Sequence, residues 1–499
     1  MMDNPRINGH PILRFNRGKK IRITFNGRSV SAYEGETIAA ALYVSGVRIF
    51  SRSMKYHRPR GLFCLSGHCS HCLMRVNGKP NVRVCKTPVE NGMIIEFQNA
   101  WPSLKFDIAA ISGKFNFLLH PGFYYRYFIK PRWLYHIWER FLRNAAGIGK
   151  IEDRPAPYAP VERKQASPQI LVVGGGIAGM NAAINAVNKG ADVWLIEREH
   201  KLGGRFRYDT REVDVDGRSG KKYAFEIVDE MAKKLVPSDH LHILTGTLAF
   251  GWYDEGILAA TRASEFWEFE PKCTIISTGS YETPFVFENN DLPGVFLAGG
   301  IQRLMHRDGV LPGKRAVVIT GTNEGYVIAK QLHQAGVAVA AVVDGRNSQS
   351  FDGCPEKKFM VTENISVFPH HRITSAIGVK HVRGAVIKPV SVPGKGTHAT
   401  KIKIGCDIIC VAGFRTPAND LLFQRGCEGT YVLTCPDNLM RKTKPDKHLS
   451  VKDSLYVAGE ANGRTSIRKA FLEGETAGLA AVNHSGSADP ATGEKIQKK

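Results

Sequence analysis

Acidic residues are scarce: 46 Asp and Glu stand against 68 Lys and Arg, giving a formal net charge of +22. Long hydrophobic runs are missing too. None approaches the ~18 residues that a membrane span needs, so no transmembrane segment is expected. Met1 to Lys20 has no apolar core of the signal-peptide kind, which places the chain in a reducing cytoplasm. The ten cysteines therefore read as ligands or buried hydrophobes rather than as a disulfide framework. No Ser-His-Asp constellation or HExxH motif is found, and no acid or base can be nominated for work on a substrate, so catalytic residues stay unassigned. With 43% hydrophobic and 23% charged residues the composition is that of a globular protein, which disfavours disordered and collagenous classes. At 499 residues the chain exceeds the ~250–300 at which a single core stops growing, so two to four domains are expected.

What is present begins with the placing of the charge. Residues 1–165 hold 27 Lys and Arg against 10 Asp and Glu, whereas residues 166–499 hold 41 against 36. The excess of +17 in the first third marks a boundary near residue 165. A basic region of this kind fits nucleic acid, an anionic membrane or an acidic partner. Glycine is abundant, at 50 residues, as in proteins whose backbone turns grip phosphates or cofactors.

Lys20 to Phe25 alternates like a strand, Asn26-Gly27 gives a hairpin signal, and Arg28 to Ala32 resumes the alternation. A short helical stretch at Thr37–Val44 and a second tight turn at Asn77-Gly78 complete the outline of a small β-grasp domain. In its loop lie Cys64, Cys69 and Cys72, with Cys85 after the next strand, a C-x4-C-x2-C-x12-C spacing. That is the plant-type arrangement for a [2Fe–2S] cluster. Gly61 and Gly67 would let backbone N–H groups turn toward the sulfurs. A structural zinc site is the competing reading, although such sites usually pair two short knuckles. His68 and His71 read as surface residues.

Residues 101–141 contain 13 of the 46 aromatic residues, and such a stretch must be buried against something. Trp133, Ile137 and Phe141 recur at helical spacing. Packing between this chain's own domains, a subunit interface and a membrane-surface anchor near Arg126, Lys130, Arg132 and Arg140 all fit. The run Pro155 to Pro160 reads as a linker.

Gln169 to Val173 is an apolar strand followed by Gly174, Gly176 and Gly179 in a GxGxxG pattern, a helical run and a second strand ending in Glu197. The acid lies 21 residues after Gly176, where a dinucleotide fold hydrogen-bonds the ribose. Gly203-Gly204-Arg205 follows, a continuation that resembles FAD sites of two-dinucleotide-binding flavoproteins. Gly279 closes a further strand. The segment Ser454 to Glu460, with Gly459, resembles the one that sets an acid on the flavin ribityl chain, with Glu460 in place of the usual Asp. The helical run from Ser466 would aim its positive end at the flavin ring.

Between these halves the pattern repeats. A strand at Ala316–Ile319 leads to Gly321 and Gly325, and Asp344 ends the next strand 23 residues after Gly321, as Glu197 follows Gly174 by 23. Asn323 and Tyr326 stand where the second and third glycines belong. Two readings stay open: a site for NAD or another adenine nucleotide, or an unoccupied structural unit.

The stretch Lys55 to Gly61, with His57-Arg58-Pro59-Arg60, resembles the N-terminal domain of the sarcosine oxidase α-subunit family, which includes α-type subunits of opine, hydroxyproline and cyanide-forming glycine dehydrogenases. On the residues alone a solvated basic loop is the competing reading. Gly122 to Tyr125 is similar to a Gly-Phe-Tyr-Tyr segment of the family. In the sarcosine oxidase α-subunit itself this domain resembles a ferredoxin without a cluster, whereas all four cysteines are present here. The resemblance covers roughly residues 15–485.

It implies an α+β and α/β multidomain fold, a β-grasp ferredoxin-like domain followed by a two-dinucleotide-binding, Rossmann-like flavoprotein fold. The expected borders are 1–100 for the cluster domain, 101–165 for the connector, 166–312 and 441–499 for the FAD domain, and 313–440 for an inserted NAD-binding-like domain. Expected cofactors are FAD and a [2Fe–2S] cluster. The implied role is electron transfer in a multi-subunit flavin dehydrogenase for an amino acid, imino acid, opine or secondary amine. A D-amino-acid-oxidase-like β-type subunit would take hydride from the substrate, and electrons would pass on to an acceptor not identified by the sequence. FMN at a subunit interface is left open. The family's folate-binding domain is not expected, since the sequence stops at Lys499. Thiol-disulfide chemistry is not implied either: C-x-x-C occurs only in the cluster motif, and Cys406 and Cys410 stand about 13 Å apart if on one strand. One alternative is a self-contained NAD(P)H-dependent ferredoxin-type reductase, which needs a working site at Gly321–Asp344. Another is a nucleic-acid-binding flavoprotein, with salt-sensitive binding. The basic excess fits docking of an acidic subunit or electron carrier better, and no nucleic-acid partner is expected.

Overall fold

The computed structural model describes residues 5–118, 122, 130–147, 160–217, 220–253, 256–346, 354–390, 400–435, 438–463 and 466–486. Residues 123–126 of the aromatic stretch and 155–159 of the expected linker lie outside them. The chain forms two compact units, one of Met1–Pro155 with Pro284–Gly413 and one of Ala156–Thr283 with Phe414–Lys499.

The first unit opens with a five-stranded sheet, ordered Arg28–Tyr33, Lys20–Phe25, Ile94–Glu96, Leu73–Val76, Lys79–Arg83. Its first hairpin turns on Asn26 and Gly27, at φ 48° and 77°, both left-handed as a tight two-residue hairpin requires. Asn77 and Gly78 repeat the device at 48° and 79°. The helix Ile38–Val44 starts where the Thr37 hydroxyl accepts the Ala40 N–H at 3.2 Å, and its apolar face is buried under the sheet. Sheet, helix and cluster loop make the expected β-grasp domain.

The same unit holds a parallel five-stranded sheet, ordered Val295–Leu297, Ile408–Ala412, Arg315–Thr320, Ala338–Asp344, Val367–Pro369. One continuous core joins the two sheets: Ile23, Leu42, Met74 and Ile95 belong to the same buried cluster as Phe296, Leu304, Val318 and Tyr326. The parallel fold therefore takes in Pro284–Gly413, whereas the sequence pattern puts its borders at 313 and 440. The reason is strand pairing. Val295–Leu297 pairs with Ile409–Val411 inside this sheet, while Phe414–Pro417 pairs with Ser280–Thr283 in the other unit.

In the second unit a six-stranded sheet runs Leu241–Thr245, Val193–Glu197, Ile170–Val173, Cys273–Ile276, Leu455–Val457, Ser450–Lys452. All but the last strand are parallel. The helix Ile177–Val187 follows the glycine turn and packs on Ile467–Ser485. That crossing is unusually close: a Cβ at Gly474 would collide with the Ala178 carbonyl, and one at Gly478 would lie 2.5 Å from that of Ala182.

In the connector, Arg132–Ala146 is helical as the spacing predicts. Trp133, Ile137 and Phe141 are 71%, 60% and 60% exposed, so packing among the described residues does not account for them. No helix among the described residues is long and apolar enough to cross a membrane. Gly474→Leu is expected to destabilise the second unit by about 1–3 kcal/mol through overpacking. A lowered urea midpoint with an unchanged slope would show it.

Candidate functional site

The cluster loop gathers its four cysteines into two pairs. The Cys64 and Cys69 sulfurs lie 3.2 Å apart, and Cys72 and Cys85 are hydrogen-bonded to each other. In each pair one thiol is shifted down: contact with Cys69 brings the Cys64 pKa down to about 4, and contact with Cys72 lowers that of Cys85. The partner thiols, Cys69 and Cys72, are raised by the same contacts. Among the described residues no three His, Cys, Asp or Glu side chains converge as a single ion requires. Two thiols for each of two irons is the donor set of a [2Fe–2S] centre, and the residues present fit it better than one tetrahedral zinc.

Backbone N–H groups help as expected at Gly67, which sits at φ 80° and donates toward Cys85. Gly61 has another role, since a Cβ there would lie 2.8 Å from Pro293 Cα. His68 is exposed, but His71 is half-buried, its Nε2 2.8 Å from Arg60 Nη1. Burial pushes the His71 pKa down to about 4, and Arg60 adds to the effect. The His57–Arg60 stretch is not a solvated loop. His57 is buried with its Nδ1 2.7 Å from Asp107, and Arg58 donates to Asp291 and Asn289 at 2.8 Å. These partners lie 50 to 233 residues away along the chain, beyond the reach of local pattern reading.

In the second unit the first glycine turn has the shape of a dinucleotide cradle. Gly174, at φ 108°, and Gly179 are both enforced by contact: a Cβ on either would collide with neighbouring backbone. A Cβ at Gly176 meets nothing within 4 Å, so its backbone borders the open space a pyrophosphate would fill. Gly204 lies against it, with a Cβ there 3.2 Å from Gly176 Cα. Glu197 ends its strand buried, accepting the N–H of Gly175 at 2.7 Å and of Glu199 at 2.8 Å. Burial raises its pKa. A carboxylate offers about four lone-pair positions, so two remain for ribose hydroxyls.

Arg205 and Glu460, 255 residues apart, form a buried ion pair at 2.6 Å, and the Ser280 hydroxyl donates to the same carboxylate at 2.8 Å. Sequence reasoning named Arg205 and Glu460 separately and missed Ser280. It also missed Glu473, which accepts the Gly459 N–H at 2.9 Å and so ties the Gly459–Asn462 turn to the helix that begins at Ile467. Gly279, at φ 80°, accepts the Ala418 N–H through its carbonyl at 2.9 Å.

The repeated pattern in the first unit is filled from within. Arg346 donates to Asp344 through its backbone N–H at 3.0 Å, Nε at 3.1 Å and Nη2 at 2.7 Å. The Tyr326 hydroxyl adds a fourth bond at 3.1 Å, so the Asp344 carboxylate has no position left for a ribose. Asn323 accepts Arg346 Nη1 at 2.9 Å. A Cβ at Gly325 would collide with Thr320, and Gly321 begins the turn. These residues do not fit NAD.

The comparisons agree with this layout. Residues 18–100 match the family described as a 2Fe-2S iron-sulfur cluster binding domain, and residues 168–474 match pyridine nucleotide-disulphide oxidoreductase. The chain belongs to the pyridine nucleotide-disulphide oxidoreductase family, preceded by a cluster domain, and its cofactors are FAD and [2Fe–2S]. It is similar to sarcosine oxidase subunit alpha of Rhizobium meliloti, 34% identical over 67% of this chain and 35% of the relative. Hydrogen cyanide synthase subunit HcnB of Pseudomonas protegens is 26% identical over 63% of this chain and 70% of its own length. The resemblance read from the sequence is thereby borne out. The chain spans only 35%, 32% and 45% of three sarcosine oxidase α subunits it matches. Among solved structures, L-proline dehydrogenase from P. horikoshii superposes with a TM-score of 0.66 at 21% identity, covering 95% of this chain and 75% of that one. The expected fold class holds.

Burial alone would raise the Glu460 pKa, but Arg205 and then Arg415 outweigh it and hold it below the ordinary 4.5. A depressed carboxylate pKa stabilises the folded state above the unfolded value and loses that contribution as pH falls through the folded one. The wild-type chain should therefore lose stability on acidification below about pH 4.5, and Glu460→Gln should flatten that part of a urea-midpoint-against-pH profile. An unaltered profile would remove Glu460 as a source.

Proposed function

We propose that this chain is the electron-transferring FAD/[2Fe–2S] subunit of a multi-subunit flavin dehydrogenase that oxidises an amino acid, imino acid, opine or secondary amine in the cytoplasm. A D-amino-acid-oxidase-like β-type subunit takes hydride from the substrate C–N bond. The observation that carries this reading is the contrast between the two buried carboxylates: Glu197 keeps room for a ribose, and Asp344 does not. With no nicotinamide donor to serve it, the flavin must receive its electrons from elsewhere. Relatives that are themselves named as subunits support a partner chain as the source.

Residues 166–283 with 414–499 hold FAD in this reading. Gly174, Gly176 and Gly179 take the pyrophosphate, Glu197 the ribose, and Gly204, Gly279 and Gly459 the close backbone approaches. Arg205 and Glu460 hold each other, their buried ion pair fixing both side chains. Cys64 with Cys69 and Cys72 with Cys85 hold the two irons. When bound, FAD exchanges two electrons and the cluster one, so the pair converts hydride-equivalent transfer into single-electron steps.

The self-contained NAD(P)H reductase is disfavoured by Arg346, Tyr326 and Asn323, which occupy the second nucleotide position. Anaerobic addition of NADH or NADPH to the purified chain is expected to leave the flavin absorbance unchanged. Amine together with the co-purified partner is expected to bleach it. Bleaching by either nucleotide in proportion to added reductant would reverse the assignment. Glu197→Ala is expected to weaken FAD retention by on the order of 10–100-fold, as loss of a charged hydrogen bond of about 1.5–3 kcal/mol would do. Fluorescence titration of the apoprotein measures it.

A further inference from the structure

One short segment of the parallel fold, Leu297–Arg307, is built against the cysteine loop. The Leu297 N–H donates to the Phe63 carbonyl at 3.0 Å, and a Cβ at Gly300 would collide with that same carbonyl. At the segment's end Arg307 spans the loop. Its Nη1 reaches the Leu65 carbonyl at 3.5 Å and its Nη2 the carbonyl of Cys85 at 3.3 Å. Leu65 follows the first cysteine and Cys85 is the fourth, so the guanidinium lies beside residues from both thiol pairs. Asp308 holds it from the other side, accepting Nε at 3.0 Å and Nη2 at 2.8 Å. The Asp308 side chain is 2% exposed and that of Arg307 20%, so solvent screens the pair weakly.

We propose that Arg307 is a positioning and tuning residue that sets the reduction potential of the [2Fe–2S] centre, with Asp308 fixing its orientation. The proposal rests on the assignment of the cluster to Cys64, Cys69, Cys72 and Cys85. Reduction adds one electron, and one negative charge, to a group already ringed by four thiolates. A fixed cation at hydrogen-bond distance from the Cys85 carbonyl favours the more negative, reduced form. Because the cation comes from the parallel fold and the thiolates from the β-grasp fold, the potential depends on the contact between them.

The test is an EPR-monitored redox titration of the full-length chain, with iron and sulfide measured per chain. Arg307→Gln is expected to keep its iron and shift the midpoint potential to a more negative value. Arg307→Lys, which keeps the charge, is expected to stay near wild type. Asp308→Asn, which leaves the cation uncompensated, is expected to shift the potential the opposite way, and it carries the test should Arg307→Gln fail to assemble. Iron-replete Arg307→Gln or Asp308→Asn at the wild-type potential would overturn the tuning role alone. A wild-type chain without a reducible cluster signal would overturn the cluster assignment and this proposal together.

Discussion

The close approach between the cysteine loop and the segment Leu297–Arg307 is the constraint on which the first unit depends. Backbone lies against backbone there, because Gly300 leaves no side chain to hold them apart. Two sheets of different topology consequently share one apolar core, in which Phe296 and Leu304 belong with Leu42 and Met74. A small β-grasp domain with an iron–sulfur loop has little apolar surface of its own to bury. Drawing on the parallel fold supplies the rest, and it also brings the guanidinium of Arg307 to the loop.

The two dinucleotide folds show how similar strands and turns diverge through a few side chains. Each ends its second strand in a buried acid, 23 residues after the first glycine. In one, the acid is met by two backbone amides and keeps accepting capacity. In the other, an arginine two positions later folds back on it and a tyrosine replaces the glycine that would have let a helix pack closely. The second fold retains the architecture of a nucleotide site while its own side chains satisfy the polar groups a nucleotide would have met. That fold then serves as support for the cluster domain.

Features set by local chemistry were legible in the sequence. Asn26-Gly27 and Asn77-Gly78 specify their hairpins through positive φ, and the GxGxxG turn with Glu197 specifies strand, turn, helix and strand. The damaged second fingerprint was visible as well, since Asn323 and Tyr326 occupy glycine positions. The direction of its outcome was not, because it turned on Arg346 reaching two acceptors at once. Partners far along the chain were out of reach: Asp107 for His57, Asp291 for Arg58, Glu460 for Arg205. The borders of the nested segment were misplaced for the same reason, as strand Val295–Leu297 carries no local mark of the sheet it joins.

The first unit is discontinuous in sequence, with Ala156–Thr283 intervening between its two parts. On a ribosome the four cysteines emerge early, but Leu297–Arg307, which closes their loop, comes much later, and the unit that completes their core ends only at Gly413. At ~5–20 residues per second, the loop waits on the order of 15–65 s for its structural complement. Insertion of iron and sulfide into a finished pocket must then follow synthesis through Gly413. Any earlier delivery would have to use a nascent loop still open to oxidants and competing metals.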